Sequence, residues 1–586
     1  MSDLNSNTKP RLVSTGQGFS ILNTVEYKDR LLYSKYNPTR AVVATVNNMA
    51  LLNGTLLVVC SPCLWYGLAE LLNKMPDGCM ILAVEADSEL FEFSNAELSK
   101  LRKTFSTEQN SRIYFLNISD SAAQEIFSLY LQIASSFIKK AGGQGTFKRA
   151  VRIDFSAGVS FAPSVYESFC SATENIIAQF WKNRITLVKL GRLYARNLFK
   201  NLSSLKHDST LSDVTHTIAK PIIVCGAGEG LSSVLDDESI KKLANEKKVY
   251  ILAVDASLPS LLAKNISPDA VIGVECQSAI EKAYLSAKDS HLTLFADLTS
   301  RPSIKNILDG RTIWFCSKYS DAKYLEKIKE YGVIESFIPP LGSVGLSAVY
   351  ISLLLRKDEN VPVYVCGLDF SFTCGATHAK GTPAHIARLI AESRFSPVEN
   401  YDSAFRSGAV CVKGKNGKLT CTDSIMKNYA ENFISMFCGT KNLFDISSSG
   451  LDIKLPHSNK IEFNSYDEKI KNNDCVSAEN YLTKNNFSIN NEIRKALSSK
   501  IDYFYAKEKN ALTAIKDLLS NGDISIYRDP TLTLNEQLTE LLQSRDYLYL
   551  HFPDGYKFST DISFLKRIRA EIDFFIKDID FASSNS

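Results

Sequence analysis

Pro221-Ile-Ile-Val-Cys-Gly-Ala-Gly-Glu-Gly-Leu-Ser-Ser233 decides how this chain folds: an apolar strand runs into a turn holding three glycines and then into a helix start. Gly226, Gly228 and Gly230 let the backbone turn sharply and come close to a ligand, while the first amides of the following helix would point at an anion. That is a phosphate cradle in outline. The spacing reads G-x-G-x-G, short of the full dinucleotide fingerprint because Leu231 stands where its third glycine belongs. A tight strand-to-helix turn with no ligand would use the same glycines.

Working outward, Val249-Tyr-Ile-Leu-Ala-Val-Asp255 is a second apolar strand ending in a carboxylate, and Ala270-Val-Ile-Gly-Val-Glu275 is a third. In an open parallel sheet, strand tips converge on one crevice, so Asp255 and Glu275 should share an edge with the glycine turn. Further strands are expected over 291–296, 311–316 and 361–366, with helices between them, including 344–355 after Leu341-Gly342-Ser343. This alternation predicts a parallel sheet covered on both faces. Val363 to Ala379 then carries a strand, Gly367 at its tip, Asp369, and His378 on a loop. Histidine titrates near neutrality, so His378 is a candidate general base; a surface or hydrogen-bonded histidine would look the same.

The sequence has 586 residues, too many for one core, and 45% hydrophobic and 22% charged residues mark an ordinary globular protein. Three domains are expected: an N-terminal α/β Rossmann-like domain over 1–205, a central catalytic domain over 206–460, and a helical C-terminal domain over 461–586 for docking or assembly. In the first, residues 55–60 read as a strand, 64–74 as a helix and 79–85 as a strand, with no glycine in the turn at 60–63. Residues 166–202 read as long helices and 207–217 as a linker. In the last, Ile493, Leu497, Ile501 and Phe504, and Ile568, Ile572, Phe575 and Ile579, recur at helical spacing; such stripes make bundle core and admit an oligomer.

Sixty-seven basic residues against 64 acidic give +3, too nearly balanced for a nucleic-acid surface. No apolar run reaches the roughly 20 residues of a membrane helix, and the first residues lack the pattern of a signal peptide, so no membrane insertion and a cytoplasmic location are expected. Thirteen cysteines, mostly in apolar strands, fit reduced thiols. Cys60-Ser-Pro-Cys63 has redox-motif spacing, but without the usual aromatic residue before it a buried structural pair is the simpler reading.

Several of these pieces, in order, resemble the Maf (motility accessory factor) flagellin glycosyltransferases, which share a central domain with 6-hydroxymethylpterin diphosphokinase-like proteins. The matching pieces are Ser34-Lys-Tyr-Asn-Pro38, Arg196-Asn-Leu-Phe-Lys-Asn201, Gly226-Ala-Gly228, Ile266 to Glu275, and Leu341-Gly-Ser-Val-Gly345. They continue with Cys366-Gly-Leu-Asp369 and His378-Ala379, Val412 to Thr420, and Ser449-Gly-Leu-Asp-Ile453.

The resemblance implies a central variant Rossmann-like, sialyltransferase-like domain that transfers a nonulosonic sugar from a CMP-activated donor to Ser or Thr hydroxyls of flagellin. It implies donor contacts at Gly226, Gly228, Gly230, Asp255, Glu275 and Ser343; beside them, Gly342 and Gly367 are expected in the same nucleotide-sugar site, and the residues' own chemistry makes His378 the expected base with Asp369 as its orienter or substitute. The family usually has Pro-Ser after the second glycine; here Glu229-Gly230 sets a carboxylate near the expected phosphate. Mg2+ or Mn2+ on Asp255 and Glu275 would offset that charge, although the sialyltransferase likeness predicts no metal. The competing readings are an ATP-dependent pterin pyrophosphokinase, a dinucleotide oxidoreductase, and a non-catalytic flagellin-binding chaperone.

Overall fold

The structure, a computed structural model, describes residues 9–15, 22–118, 126–143, 145–373, 376–395, 408–458, 461, 489–521 and 536–584. It divides into two compact units, Met1–Thr186 and Leu187–Ser586. The sequence reading has three domains; the division observed here falls within the 43-residue helix Pro163–Leu205.

The first unit holds a four-stranded parallel sheet in the order Ile113–Asn117, Met80–Glu85, Thr55–Cys60, Arg149–Asp154. The helix expected from residue 64 begins only at Leu68. Ser61, Cys63, Trp65 and Gly67 all have positive φ, and alternating left-handed residues cannot continue a right-handed helix. At the tip of Thr55–Cys60, Ser61 Oγ donates to Glu85 Oε2 at 2.9 Å and lies 3.0 Å from Ser156 Oγ, while Tyr166 OH donates to Glu85 Oε1. Hydrogen-bonded side chains thus occupy this strand tip, where the central sheet has glycines. Cys60 and Cys63 are buried, and burial pushes the Cys63 thiol up. Cys60 Sγ meets Cys170 Sγ at 3.8 Å.

The second unit is built on eight parallel strands in the order Leu443–Asp445, Val363–Cys366, Ile222–Cys225, Tyr250–Val254, Ala270–Gly273, Thr293–Asp297, Thr312–Phe315, Ser209–Thr210. The inner strands are buried on both faces, as a parallel sheet requires. Alternate residues serve opposite layers: Ile222 and Val224 pack with the helix Val344–Leu355, and Ile223 and Cys225 with the helices Gly230–Leu235 and Glu238–Asn245. The stretch expected as a linker, 207–217, instead supplies the outermost strand, Ser209–Thr210, beside Ile313 and Trp314. Two residues are too few to show a strand's alternation, so only the pairing reveals it.

The C-terminal helices Ile489–Asn521 and Ile562–Ser584 lie in this same unit. Ile501, Phe504, Ile568, Ile572, Phe575 and Ile579 share one core with Leu198, Phe199 and Leu202 and with the sheet residues Leu294 and Trp314. The stripes are spent inside this core, where Phe504 and Phe575 pack against Phe199 of the helix Pro163–Leu205. Ile493 has its side chain outside the described residues. No helix among the described residues is long and apolar enough to cross a membrane.

Candidate functional site

After Ile222–Cys225 the chain proceeds across the sheet through Tyr250–Val254 to Thr312–Phe315, then returns to place Val363–Cys366 on the other flank. Loops leaving the two neighbouring strands, Ile222–Cys225 and Val363–Cys366, therefore run in opposite directions, and such a switch point is where open α/β sheets form a crevice. The glycine turn lies on one side of it and Gly367-Leu-Asp369 on the other.

Here the two loops interlock. Gly226 N–H donates to the carbonyl of Cys366 at 2.7 Å, Gly228 N–H to that of Gly367 at 2.8 Å, and Gly230 N–H to Asp369 Oδ2 at 2.6 Å. A Cβ on Gly226 would strike the Gly367 carbonyl, and one on Gly230 would lie 2.5 Å from Asp369 Oδ1. The glycines thus permit two backbones to touch, and the anion seated on the turn is the protein's own Asp369 carboxylate. The G-x-G-x-G pattern tells of close approach to this turn without telling what approaches, and the groups found there are Gly367 and Asp369.

Asp369 is 3% exposed, and burial pushes its carboxyl up to about 6; the Gly230 N–H and the nearby Lys415 charge pull the other way without prevailing. Its Oδ1 has no hydrogen-bond partner among the described residues. Through Oδ2 on the Gly230 N–H, Asp369 ties its own loop to the glycine turn. His378 is half-buried, with Nδ1 3.1 Å from Thr377 Oγ1. Its loop is fastened to the turn, since Ala379 N–H donates to the Ala227 carbonyl at 3.0 Å and Lys380 N–H to Ser232 Oγ at 3.1 Å. The site thus gathers the glycine turn, Gly367, Asp369 and the His378 loop; Cys374 and Gly375 lie outside the described residues. Glu229, the carboxylate expected beside the phosphate, accepts a hydrogen bond from Thr373 Oγ1 at 2.8 Å.

Gly342 has φ +73 and leads into Ser343, the N-cap of the helix Val344–Leu355, whose side chain makes no capping bond. This helix start reaches the same crevice: a Cβ on Gly345 would lie 2.5 Å from Leu368 Cδ2. Asp255 and Glu275 stand at neighbouring strand tips. Burial, with the charge of Glu275 as a smaller cause, pushes Asp255 up to about 7, and its Oδ2 has no hydrogen-bond partner among the described residues. Glu275 Oε1 accepts from the amides of Cys276 and Gln277 at 2.9 and 3.0 Å. Among the described residues, no group of three or more His, Cys, Asp or Glu is arranged to hold a metal ion.

Two features escaped the sequence reading. Lys415, in the turn between the strands Val410–Lys413 and Leu419–Thr422, pairs with Asp445 at the tip of Leu443–Asp445, and its N–H donates to the Gly450 carbonyl at 2.9 Å. Among several lysines in that turn, nothing in the sequence singles it out. The second is the role of Asn197 and Asn201. Asn197 Nδ2 donates to the carbonyls of Cys276 and Thr299, each at 3.1 Å, and Asn201 Nδ2 to those of Leu298 and Ser300, each at 2.9 Å. One helix face thereby pins the loops after two strands.

Comparison with known proteins agrees with this architecture. Residues 196–375 match the family described as 6-hydroxymethylpterin diphosphokinase MptE-like. An uncharacterized protein of Treponema pallidum (strain Nichols) is 29% identical over 591 residues, spanning 97% of this chain and 94% of that protein. The structure of the Maf glycosyltransferase from Magnetospirillum magneticum AMB-1 is similar with a TM-score of 0.54 at 15% identity, over 99% of this chain and 93% of that one. The chain therefore has the fold of the Maf glycosyltransferase along its length and carries the MptE-like central region of the resemblance read from its sequence.

Proposed function

We propose that this protein is a glycosyltransferase that passes a nonulosonic, sialic-acid-like sugar from a CMP-activated donor to Ser or Thr hydroxyls of flagellin. The observation that supports this reading best is the fold shared with a Maf glycosyltransferase over 99% of the chain. A histidine loop fastened to the glycine turn at the switch point of the sheet adds to it.

Because the amides of Gly226, Gly228 and Gly230 are already engaged, we assign the donor's ribose to Asp255 and Glu275. Carboxylates at strand tips suit hydroxyls better than a phosphate, and Asp255 Oδ2 offers an acceptor without a partner among the described residues. We assign to Lys415, whose charge is already felt at Asp369, the stabilisation of the departing phosphate. As the bond from the anomeric carbon to the phosphate oxygen of CMP breaks, the acceptor oxygen forms its bond to that carbon and His378 takes the hydroxyl proton. Holding acceptor and donor in line is the larger part of the protein's task, since CMP leaves readily.

The test is the intact mass of flagellin co-expressed with this protein and a CMP-nonulosonate supply. A gain of one or more sugar residues is expected, and an unmodified mass overturns the reading. The MptE-like match over residues 196–375 favours a second reading, diphosphate transfer from ATP to 6-hydroxymethylpterin. Release of AMP from that pair of substrates by the purified protein would select it.

A further inference from the structure

We propose that Cys411 and Cys421 form a redox-active dithiol that small disulfides such as oxidised glutathione convert to a cross-strand disulfide. The two cysteines face each other across the antiparallel pair Val410–Lys413 and Leu419–Thr422, and their sulfurs lie 3.3 Å apart. Cys421 spends its N–H and its carbonyl on Phe372, on the far side from Cys411. The 411/421 pair is therefore of the non-hydrogen-bonded kind, in which Cα atoms approach to about 4.5 Å. A disulfide spans Cα separations of about 4.4–6.8 Å, so the bond fits with little movement.

Access sets this pair apart. Among the described residues, Cys60 with Cys170 and Cys225 with Cys366 also bring sulfurs to 3.8 Å, but all four are buried. Cys411 is exposed and Cys421 buried behind it, the arrangement of an attacking thiol and a resolving one. The Cys411 thiolate attacks one sulfur of oxidised glutathione, forming a mixed disulfide and expelling one glutathione thiolate. The Cys421 thiolate then attacks the Cys411 sulfur, forming the Cys411–Cys421 bond and expelling the second. The two protein thiols give up two protons and two electrons, and the glutathione disulfide is reduced to two glutathiones. The second step is intramolecular between sulfurs already in contact, so it outruns any competing thiol in solution. Nothing in this chemistry depends on the proposed sugar transfer.

Cys438 is exposed too and supplies an internal control, its sulfur resting 4.0 Å from the Lys454 carbonyl. Reduced full-length protein is treated with oxidised glutathione, remaining thiols are alkylated, and peptides are mapped by mass. The expected result is a 411–421 disulfide-linked peptide with glutathione retained on Cys438, so that Cys411, Cys421 and Cys438 all escape alkylation; in Cys421→Ser, glutathione stays on Cys411. Glutathione retained on Cys411 of the unsubstituted protein, alkylation of both cysteines, or linkage of Cys411 to another cysteine would each overturn the proposal. The map of the unsubstituted protein decides the matter even if the variant does not fold.

Discussion

Two carboxylates at the sheet edge, Asp369 and Asp255, are buried with one oxygen hydrogen-bonded and the other without a partner among the described residues. Burial raises each from an ordinary value of 3.8, to about 6 and about 7 respectively. In the unfolded chain both ionise near pH 4, so above that pH the folded state holds more protons and stability falls as pH rises. The loss accrues up to about pH 6 for Asp369 and about pH 7 for Asp255, at about 1.4 kcal/mol for each pH unit crossed. Asp255→Asn removes the titration while keeping shape, so thermal melting from pH 4 to 8 should show a flatter decline for the variant; parallel declines would count against a buried acid there. His378 belongs to the same scale. It is half-buried and lies on a loop, so His378→Ala should leave the melting temperature close to that of the parent. Loss of a general base should lower transfer to flagellin by about 10²–10⁴-fold, read from initial rates of mass gain. Full activity in a folded His378→Ala protein would remove it from the proton transfer.

Among the elements, the second half of Pro163–Leu205 does more for the site than its apolar face discloses. Asn197 and Asn201, one turn apart, each bridge two carbonyls of the strand-tip loops, satisfying acceptors that burial would otherwise leave costly. Asn201→Ala should cost about 1–3 kcal/mol and speed amide hydrogen exchange in residues 298–301 before it does so in the strand Thr293–Asp297. Uniform exchange across both would mean that the pair merely fills space. Elements were legible where a physical period was long enough to read. The strand Tyr250–Val254 and the helix Val344–Leu355 emerge from their apolar runs almost to the residue. Ser209–Thr210, and the late helix start at Leu68, depend on pairing and on left-handed backbone that no period records. The site was half legible for the same reason. Glycines at 226, 228 and 230 mark a close approach, but the approaching groups, Gly367 and Asp369, come from more than a hundred residues away.

For the whole molecule the decisive fact is that each of the two compact units has its own core. Buried residues such as Leu57, Ile81 and Ile153 form one in the first unit, and the second unit joins Leu294 and Trp314 to Ile568, Ile572 and Phe575. The C-terminal helices are thus part of what keeps the candidate site folded, because they share one core with residues of the sheet that presents it. Ile572 is fully buried, and Ile572→Ala should destabilise the second unit by about 2–5 kcal/mol, the range for removing a large aliphatic side chain from a packed core. The first unit, with a separate core, should be untouched. Limited proteolysis through a urea gradient reads the two separately: fragments from 187–586 should appear at lower urea in the variant, while the urea needed to cleave within 1–186 stays where it was. If both shift together, the chain unfolds as one cooperative body and the division at residue 186 has no thermodynamic meaning. If neither shifts, the helix Ile562–Ser584 is an appendage, and the candidate site does not depend on the C-terminal third of the chain.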